Sequence, residues 1–467
     1  MKLTFLGAAR QVTGSKHLLE TRHGKFILLD CGLYQGKGLE TDALNRDPGV
    51  DPSSIDHIIL THAHIDHSGL IPFFYKNGFR GSVICTHATR DLCSIMLPDS
   101  AHIQEQDIVW FNKKRQRQGL QPVPPLYSEK DARACLELFI GVAYNRKFYI
   151  DNNIKVKFTN SGHMLGSGVV TIELDEFGTM TRIGYTGDIG RPGNYLLQAP
   201  QAFPHCDILI TESTYGDRLH EAREAAEKRL LEIVNYTCVE KQGKLIIPSF
   251  AIGRAQEIVF LLNNFYNQGL LPKIPVYVDS PLAVNATNIF RMHLDEMNQH
   301  VAEVLESDPD PFGFNALHYI NNVEESKQLN NLNEPAIIIS ASGMAEAGRI
   351  KHHLANNIDN PKNSILFVGY CAPSTLGARI QEKPDEISIF GTPHKLRAEI
   401  FSIDAFSGHA DYQEMGDYLE CQNKEKLQRV FLVHGETKAA EHYAGWLSDR
   451  NFKNIAIPER GESFAID

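Results

Sequence analysis

The sequence predicts an α/β fold that is divided between two lobes. Short apolar runs rich in β-branched residues alternate with longer stretches of helical period, such as residues 221–241, and this alternation is typical of α/β proteins. At 467 residues the chain is longer than one hydrophobic core usually allows, so a second lobe is expected. A composition of 42% hydrophobic and 22% charged residues excludes disordered and fibrous proteins.

The strand-like runs have a common feature at their carboxyl ends. Six of them finish in a His, Asp or Glu, either at the end of the run or in the turn beyond it: Asp30 (FILLD), His62 (HIILTH), Asp188 (IGYTGD), Glu212 (DILITE), His409 (FSIDAFSGH) and His434 (VFLVH). Ligands of α/β proteins bind beyond the carboxyl ends of strands, so we expect these side chains to meet at one place. Ordinary turn-forming Asp residues explain some of the carboxylates but not the histidines.

A middle stretch, residues 215–395, repeats strand-loop-helix units such as KLIIPSFAIGRAQEIVFLL and PAIIISASGMAEAGR. This repetition predicts an inserted lobe of its own. Candidate ligands lie on both sides of the insertion, so the first lobe must combine residues 1–214 with residues 396–467.

The stretch THAHIDHSGL, residues 61–70, predicts a metal site. His62 and His64 are two positions apart, so in an extended segment both side chains point the same way and can share a cation. Asp66 and His67 follow in the next turn and can bind a second cation. Histidine nitrogen with carboxylate oxygen suits Zn²⁺ best, with Mn²⁺ and Fe²⁺ as alternatives. The competing interpretation, a packed cluster without metal, would need a hydrogen-bond partner for every ring nitrogen.

Two distant residues can complete these sites. They are His163 in SGHMLGSG and Asp188 in YTGD, whose carboxylate could bridge two cations. Taken alone, each is an ordinary loop or turn residue. Two adjacent divalent cations activate a water as hydroxide and polarise a phosphoryl oxygen. A departing alkoxide also needs a proton, and we expect His409, oriented by Glu212, to supply it.

Charge and cysteine usage limit the class of protein further. The net charge of −11 argues weakly against a nucleic-acid partner, but a local basic groove or bound cations can dominate the field at a site. Eight widely spaced cysteines without a C-x-x-C pair argue against a disulfide framework and a cysteine zinc knuckle. No secretory or membrane-spanning pattern is apparent, and we expect a cytoplasmic protein.

The segment NKKRQRQGLQPVPPLY, residues 112–127, combines a basic cluster with three prolines. We expect it to be an exposed connection. A nucleic-acid contact is the less favoured interpretation, because short basic runs are common on solvated loops.

These motifs together resemble a known family. THAHIDH with His163 and Asp188 is similar to the H-x-H-x-D-H, His and Asp signature of the metallo-β-lactamase fold. TESTYG with Glu212, FSGHAD with His409 and LVHGE with His434 resemble the three added motifs of its β-CASP branch of ribonucleases. The resemblance implies an α/β fold made of a four-layer αββα metallo-β-lactamase sandwich and an inserted α/β β-CASP domain, with two zinc ions in the cleft between them.

The resemblance also implies the role of each residue. One metal would be bound by His62, His64, His163 and Asp188, and the other by Asp66, His67, Asp188 and His434. Asp30 would not bind a metal itself but would orient the histidines that do. Asp66, Glu212 and His409 would be catalytic. His434, where DNA-processing members carry an aliphatic residue, favours RNA. The implied activity is hydrolysis of single-stranded RNA to 5′-phosphate and 3′-hydroxyl ends, with internal cleavage and 5′–3′ progression both open.

In the inserted lobe, SASGM and APSTLGAR resemble loops that line the RNA channel of the family. The candidate RNA-binding residues are Ser342, Gly343, Ser374, Thr375, Arg254, Arg349 and Arg379. Backbone N–H groups, hydroxyls and guanidinium groups can hold phosphates. Ordinary strand-to-helix turns would explain the same residues.

Two other functions stay open at this point. One is a metallo-β-lactamase-fold hydrolase of small thioesters or lactams, although such enzymes lack an inserted lobe of this size. The other is an inactive, metal-bound scaffold of an RNA-processing complex, although such partners have lost ligands that are all present here. The sequence leaves open whether the chain acts as a homodimer or inside such a complex.

Overall fold

The chain forms two units in the computed structural model, which describes residues 1–36, 39–221, 223–369, 371–372 and 375–466. The first unit comprises residues 1–192, 199–219 and 409–467, and the second comprises residues 193–198 and 220–408.

The first sheet of the first unit has seven strands. In spatial order they are β22 (Ser463–Ala465), β1 (Lys2–Phe5), β2 (His17–Glu20), β3 (Phe26–Leu29), β4 (His57–Ile59), β5 (Ser82–Thr86) and β6 (Phe139–Val142). Strands β3 to β6 run parallel to one another. Their carboxyl ends therefore lie at one edge of the sheet.

The second sheet of this unit also has seven strands. In spatial order they are β21 (Ile455–Ala456), β20 (Arg429–Val433), β11 (Ile208–Glu212), β10 (Thr179–Tyr185), β9 (Gly168–Glu176), β8 (Ile154–Asn160) and β7 (Lys147–Tyr149). Strands β10, β11 and β20 are parallel, whereas β7 to β10 pair antiparallel.

Apolar side chains of both sheets form one buried core. Strand β8 shows why: in IKVKFTN, Ile154, Val156 and Phe158 alternate with lysines and are buried, as expected when one face of a strand packs inward. Phe5 and Ile59 of the first sheet belong to the same core. Burial of this apolar area is the main stabilising term for the sandwich.

The helices of this unit pack outside the sheets. They are α1 (Leu39–Arg46), α2 (Ile65–Ser68), α3 (Ile71–Lys76), α4 (His87–Arg117), α5 (Glu129–Ala134), α13 (Tyr412–Leu419) and α14 (Thr437–Asp449). Helix α4 packs on β5 and β6, whereas α13 and α14 share a core with the outer side of β11 and β20. The layers confirm the predicted αββα sandwich. Within the described part of the chain, every helix is too short or too polar to cross a bilayer.

Helix α4 corrects one prediction. It continues to Arg117, so residues 112–117 are helical and do not belong to an exposed connection. The basic residues of that stretch include strong helix formers, and the prolines that break the pattern come only after residue 121.

The second unit is built around a six-stranded parallel sheet. In spatial order its strands are β14 (Leu317–Tyr319), β13 (Val276–Val278), β15 (Ala336–Ser340), β12 (Lys244–Pro248), β16 (Ser364–Phe367) and β19 (Glu399–Ser402), and a separate hairpin joins β17 (Glu386–Ile389) to β18 (Thr392–Lys395). The helices are α6 (Arg223–Val234), α7 (Arg254–Asn267), α8 (Pro281–Met292), α9 (Gln299–Leu305), α10 (Val323–Leu329), α11 (Ile350–Asn357) and α12 (Leu376–Gln381).

The limits of this unit differ from those predicted for the inserted lobe. Strand β19 pairs with β16, so the unit extends to residue 408 instead of 395. Its main segment begins at residue 220 instead of 215, and residues 193–198 also belong to it. The long-range pairing of β19 leaves no local signal in the sequence.

Candidate active site

The site lies where strands of the first unit end. Asp30 follows β3, Asp188 follows β10, and Glu212 ends β11. The parallel strands present their carboxyl ends together, which brings residues far apart in sequence into contact. His62 lies just beyond β4, and His434 follows β20 directly. One predicted strand tip differs: β19 ends at Ser402 in the second unit, and His409 instead forms an isolated bridge with Gly190.

The first group of donor atoms comes from three histidines and one carboxylate: His62, His64, His163 and Asp188. Nδ1 of His64 is 3.2 Å from Nε2 of His62 and 3.1 Å from Nε2 of His163. Oδ2 of Asp188 is 3.4 Å from Nε2 of both His62 and His163. Donor atoms at about 2.1 Å from a tetrahedral zinc ion lie about 3.4 Å apart. The four atoms therefore have the spacing of ligands that share one cation.

The second group has the same spacing. Helix α2 begins after His64 and carries Asp66 and His67, so one short turn supplies ligands to both groups. Nε2 of His67 is 3.1 Å from Nε2 of His434 and 3.3 Å from Oδ1 of Asp188. Oδ2 of Asp66 is 3.4 Å from Nε2 of His434. These atoms also fit the ligand set of one cation.

Asp188 joins the two groups through its two carboxylate oxygens. Oδ2 faces the first group and Oδ1 faces the second. Oδ1 is buried and has no hydrogen-bond donor among the described residues, which is costly for a carboxylate oxygen unless a cation is bound there. Buried Asp30, Asp188 and Glu212 and half-buried Asp66 add negative charge that two divalent cations would offset. The residues present therefore fit a metal centre.

Hydrogen bonds behind the histidines fix their orientation. Oδ2 of Asp30 is 2.7 Å from Nδ1 of His67, and the Thr61 hydroxyl donates to the same oxygen at 2.8 Å. Oγ1 of Thr61 is also 3.0 Å from Nδ1 of His62, and Oγ1 of Thr214 is 3.0 Å from Nδ1 of His434. Such contacts set the tautomer and direct the other ring nitrogen toward a metal.

The backbone at the site is constrained as well. Asp30 and His434 have φ values of 57° and 51°, in the left-handed region that few non-glycine residues adopt. Gly187, directly before Asp188, has φ 53°. A Cβ atom on Gly187 would lie 2.7 Å from both Cβ and Oγ1 of Thr61. Only glycine fits at this position without displacing its neighbours.

The electrostatics favour neutral rings and ionised carboxylates, the protonation states that bind metal. Burial lowers the pKa of His64 to about 3, and burial together with the neighbouring His409 ring lowers the pKa of His163. Burial would raise the pKa of Asp188, but His434 and His67 hold it well below its usual value. His67 is the exception, because Asp188 and Asp30 outweigh burial and raise its pKa.

His409 and Glu212 form a pair at the edge of the centre. Nδ1 of His409 lies 3.2 Å from Oε2 of Glu212 and 3.9 Å from Oδ2 of Asp188. The side chain of Glu212 is fully buried, while that of His409 is 22% exposed. Burial alone would lower the pKa of His409, but the two carboxylates raise it to about 9. The two carboxylates therefore favour the protonated ring, and one edge of the ring is accessible.

In the second unit, two of the predicted RNA-binding residues lie together. Gly343 and Arg254 line a shallow depression with Phe250, Ser249 and Gly369. Arg254 is paired with Glu257. Phe250 is 42% exposed, whereas the side chain of Arg254 is only 10% exposed. The depression therefore presents an accessible aromatic residue beside an ion-paired guanidinium group.

The other predicted RNA-binding residues have varied surroundings. Ser342 accepts a hydrogen bond at 3.2 Å from the N–H of Glu346, and Thr375 caps helix α12. Arg349 donates at 2.6 Å to Asp279 and at 2.7 Å to the carbonyl of Asn321, so its guanidinium group is engaged within the unit. Arg379 is exposed on α12. Ser374 lies outside the described residues.

Four residues near these sites were not predicted from the sequence: Thr61, Tyr185, Thr214 and Phe250. Thr61 and Tyr185 stand inside motifs that were recognised, THAHIDH and YTGD. Thr214 stands in TESTYG. Their position next to predicted ligands is therefore the sequence signal that could have identified Thr61, Tyr185 and Thr214. No local sequence signal distinguishes Phe250 from other phenylalanines of the chain.

Three family models match the chain. The metallo-beta-lactamase superfamily matches residues 14–92, the Beta-Casp domain matches residues 255–380, and the Zn-dependent metallo-hydrolase RNA specificity domain matches residues 393–458. The first contains the THAHIDH motif, and the last contains His409 and His434.

Similar proteins occur in bacteria and archaea. Ribonuclease TTHA0252 of Thermus thermophilus is 34% identical over 93% of this chain and 93% of its own length. An RNase J-like protein of Methanocaldococcus jannaschii is 34% identical over 98% of this chain and 96% of its own length. The transcription termination factor FttA of the same archaeon is 32% identical over 98% of this chain and 70% of its own length.

A solved structure has the same fold. It is a crystal structure of a protein of unknown function from Enterococcus faecalis, with a TM-score of 0.57 and 13% identity, and the match covers 100% of this chain and 99% of that one.

Proposed function

The chain belongs to the β-CASP branch of the metallo-β-lactamase superfamily, and from this membership we propose that it is a ribonuclease with two divalent cations, preferably zinc. The observation that carries the proposal is the pair of donor groups joined by Asp188. Histidine-rich groups without cysteine suit zinc and keep it Lewis-acidic, with Mn²⁺ and Fe²⁺ as alternatives. We assign His62, His64, His163 and Asp188 to one cation, and Asp66, His67, Asp188 and His434 to the other.

Two cations bound there would polarise a phosphodiester and lower the pKa of a shared water. The protein supplies the remaining requirements. Asp30, Thr61 and Thr214 hold the rings in place. The half-buried carboxylate of Asp66 borders the second group, where it can also orient a water.

His409 is the general acid of the proposal. Its Nδ1 donates to the carboxylate of Glu212, which stabilises the protonated ring. Nε2 is the ring nitrogen that would address a leaving group. An alkoxide is a poor leaving group, so proton transfer from Nε2 to the 3′-oxygen would accelerate cleavage. The products would carry a 5′-phosphate and a 3′-hydroxyl.

RNA is the proposed substrate for two reasons. The match to an RNA specificity domain contains both His409 and His434, and two similar proteins are named as ribonucleases. Single-stranded RNA could contact the depression of Gly343, Arg254 and Phe250 by stacking a base on Phe250. A phosphate contact by Arg254 would first have to displace its ion pair with Glu257. Ser342, Ser374, Thr375 and exposed Arg379 remain candidate contacts, whereas the internal hydrogen bonds of Arg349 favour a structural role.

A cytoplasmic location also belongs to the proposal. The eight cysteines are free in the structure, and seven of them are buried. Reduced cysteines are typical of compartments with a thiol-reducing environment.

The test uses purified protein, elemental analysis and RNA labelled at either end. We expect about two metal ions per chain, cleavage that chelation abolishes, and products with a 5′-phosphate and a 3′-hydroxyl. The variant His62→Ala should lose cleavage, and Lys130→Ala, an exposed lysine on α5, should not. A cut that survives both chelation and His62→Ala would contradict the proposal.

The same preparation separates the two alternatives. Turnover of thioesters or lactams with intact RNA would identify a hydrolase of small molecules. Retention of RNA without hydrolysis, by protein that holds both metals, would identify a scaffold.

A further inference from the structure

The outer face of β7, β8, β9 and β10 carries a cluster of basic side chains. In β8 the alternation that buries Val156 turns Lys155 and Lys157 outward. Lys147 of β7 and Arg182 of β10 lie on the same face and are exposed. Helices α13 and α14 pack with the β11 and β20 side of this sheet, so the basic cluster belongs to its other half.

The pairing of the strands places these charges next to each other. Lys147 is directly opposite Lys157, and Lys155 is directly opposite Glu173. Glu173 is in turn opposite Arg182. Like charges directly opposite each other destabilise a sheet. The repulsion between Lys147 and Lys157 therefore lowers the stability of the fold. A bound anion would compensate for that cost.

Glu173 does not neutralise the cluster. It forms ion pairs with Lys147 at 2.8 Å and with Arg182 at 3.3 Å, and its pKa lies below the usual value because these cations and Lys155 outweigh the effect of burial. One carboxylate thus faces several cations. Within the described residues, the ammonium group of Lys157 makes no ion pair.

The cluster surrounds a groove of about 360 Å³. Lys147, Lys155, Lys157, Arg182, Glu173 and His205 line it, so Glu173 is its single acidic lining residue among those described. Tyr149 is not a lining residue, but it stands opposite Lys155 in the pairing of β7 with β8 and is 62% exposed. Nζ of Lys155 lies over its ring, 5.5 Å from the centroid. Cationic grooves with accessible aromatic rings are typical of surfaces that bind single-stranded nucleic acid.

The position of the groove relates it to the active site. Strand β8 ends at Asn160, three residues before His163. Lys157 is three residues before the end of the strand, which corresponds to about 10 Å along β8. An RNA strand held in the groove could therefore continue to the edge where the donor groups lie.

We propose that the groove of Lys147, Lys155, Lys157 and Arg182 is an RNA-binding exosite that holds phosphates of the substrate outside the cleaved segment. The proposal rests on the proposed ribonuclease function. Charge complementarity supports it, because four cationic side chains and one carboxylate line this groove although the net charge of the chain is −11. The exosite would increase the affinity for long RNA without contributing to the chemical step.

The test compares two variants with opposite expected effects. The double variant Lys155→Ala/Lys157→Ala should weaken the binding of RNA of about 30 nucleotides by about fivefold. The slope of log affinity against log salt concentration should become shallower by about 0.7 for each phosphate that the lysines no longer neutralise. Glu173→Gln should instead tighten binding by about two- to threefold, a result that loss of folding cannot produce. Fluorescence anisotropy with metal-bound protein and an RNA whose phosphodiester linkages are replaced by linkages that resist hydrolysis measures both changes without cleavage.

Cleavage assays provide the second measurement. The double variant should raise KM for the long RNA about fivefold at constant kcat, and leave cleavage of RNA of about six nucleotides unchanged. The matched control Lys130→Ala/Lys453→Ala removes two exposed lysines elsewhere in the unit. Equal RNA affinity of the double variant, the control and the unmodified protein would overturn the exosite.

Failure of the exosite and failure of the ribonuclease function are distinguishable. If the protein cleaves no RNA but binds RNA in a way that depends on Lys155 and Lys157, the exosite is supported and the ribonuclease function is contradicted. Cleavage with lysine-independent binding would support the function and overturn the exosite.

Discussion

The hydroxyl of Tyr185 donates a 2.7 Å hydrogen bond to Oδ2 of Asp30, the oxygen that also lies 2.7 Å from Nδ1 of His67. Tyr185 is therefore two hydrogen bonds away from the second donor group and positions His67 through Asp30. We predict that Tyr185→Phe weakens metal binding by about tenfold, because it removes one of the bonds that hold Asp30 in place. Competition with a chromophoric chelator measures the affinity.

The control for this change is Tyr75→Phe, which removes a tyrosine hydroxyl that bonds the surface residue Glu137. Both variants keep the aromatic ring. Equal metal affinity in the two variants would contradict the positioning role of Tyr185.

Several candidate ligands could be predicted from the sequence because they stand at the end of a strand with a recognisable apolar run. His62, Asp188 and His434 directly follow such runs, and the geometry of parallel strands brings their ends together. The pairing of Asp188 with both donor groups also follows from this arrangement. Local sequence and elementary topology therefore suffice to bring these three donor residues together, whereas the division of the candidate ligands between two metal sites is implied by the resemblance to the family.

The supporting residues could not be predicted in the same way. Tyr185 reaches Asp30 across 155 positions, and such a contact exists only after the two sheets have packed. The extent of the second unit depends on β19 pairing with β16, which is equally non-local. The role of Arg349 is set by Asp279, a buried residue 70 positions away.

The exposed edge of His409 predicts a dependence on the leaving group. We expect His409→Ala to slow RNA cleavage by about 10²- to 10⁴-fold, the usual contribution of a general acid. Hydrolysis of bis(p-nitrophenyl) phosphate should change much less, because p-nitrophenolate leaves without a proton. Steady-state kinetics on both substrates measure the difference.

The histidine control is His102→Ala, which changes an exposed residue on α4. It should leave both rates unchanged. An equal loss of rate on both substrates in His409→Ala would indicate that His409 holds the metal centre together and does not act as an acid.

Gly187 predicts a combined effect on folding and metal binding. Gly187→Ala should destabilise the protein by about 1–3 kcal/mol, because the left-handed backbone disfavours a side chain and the new Cβ would clash with Thr61. The adjustment should displace Asp188 and lower the metal content. Gly178→Ala is a matched control, since Gly178 also has positive φ but has no atom within 4 Å of the added Cβ. Chemical denaturation and elemental analysis should show loss of metal only in Gly187→Ala.

Arg349 and Arg379 should respond differently to substitution. Arg349→Ala leaves the buried carboxylate of Asp279 without its guanidinium partner and should destabilise the second unit by about 3 kcal/mol. Arg379→Ala changes an exposed residue and should leave stability within about 0.5 kcal/mol. RNA affinity measured on folded protein should fall in Arg379→Ala if α12 contacts the substrate. The reverse pattern of stability losses would contradict these assignments.

Asp188 predicts the stoichiometry of metal binding. Its two oxygens face different donor groups, so Asp188→Ala should lose both ions, whereas His163→Ala and His434→Ala should each retain about one. Elemental analysis after dialysis against limiting zinc measures the content. The retained ion should also raise the melting temperature relative to chelated protein, since a ligand that binds only the folded state stabilises it. Two ions in Asp188→Ala would show that the groups are independent, and the bridging role of Asp188 would then be wrong.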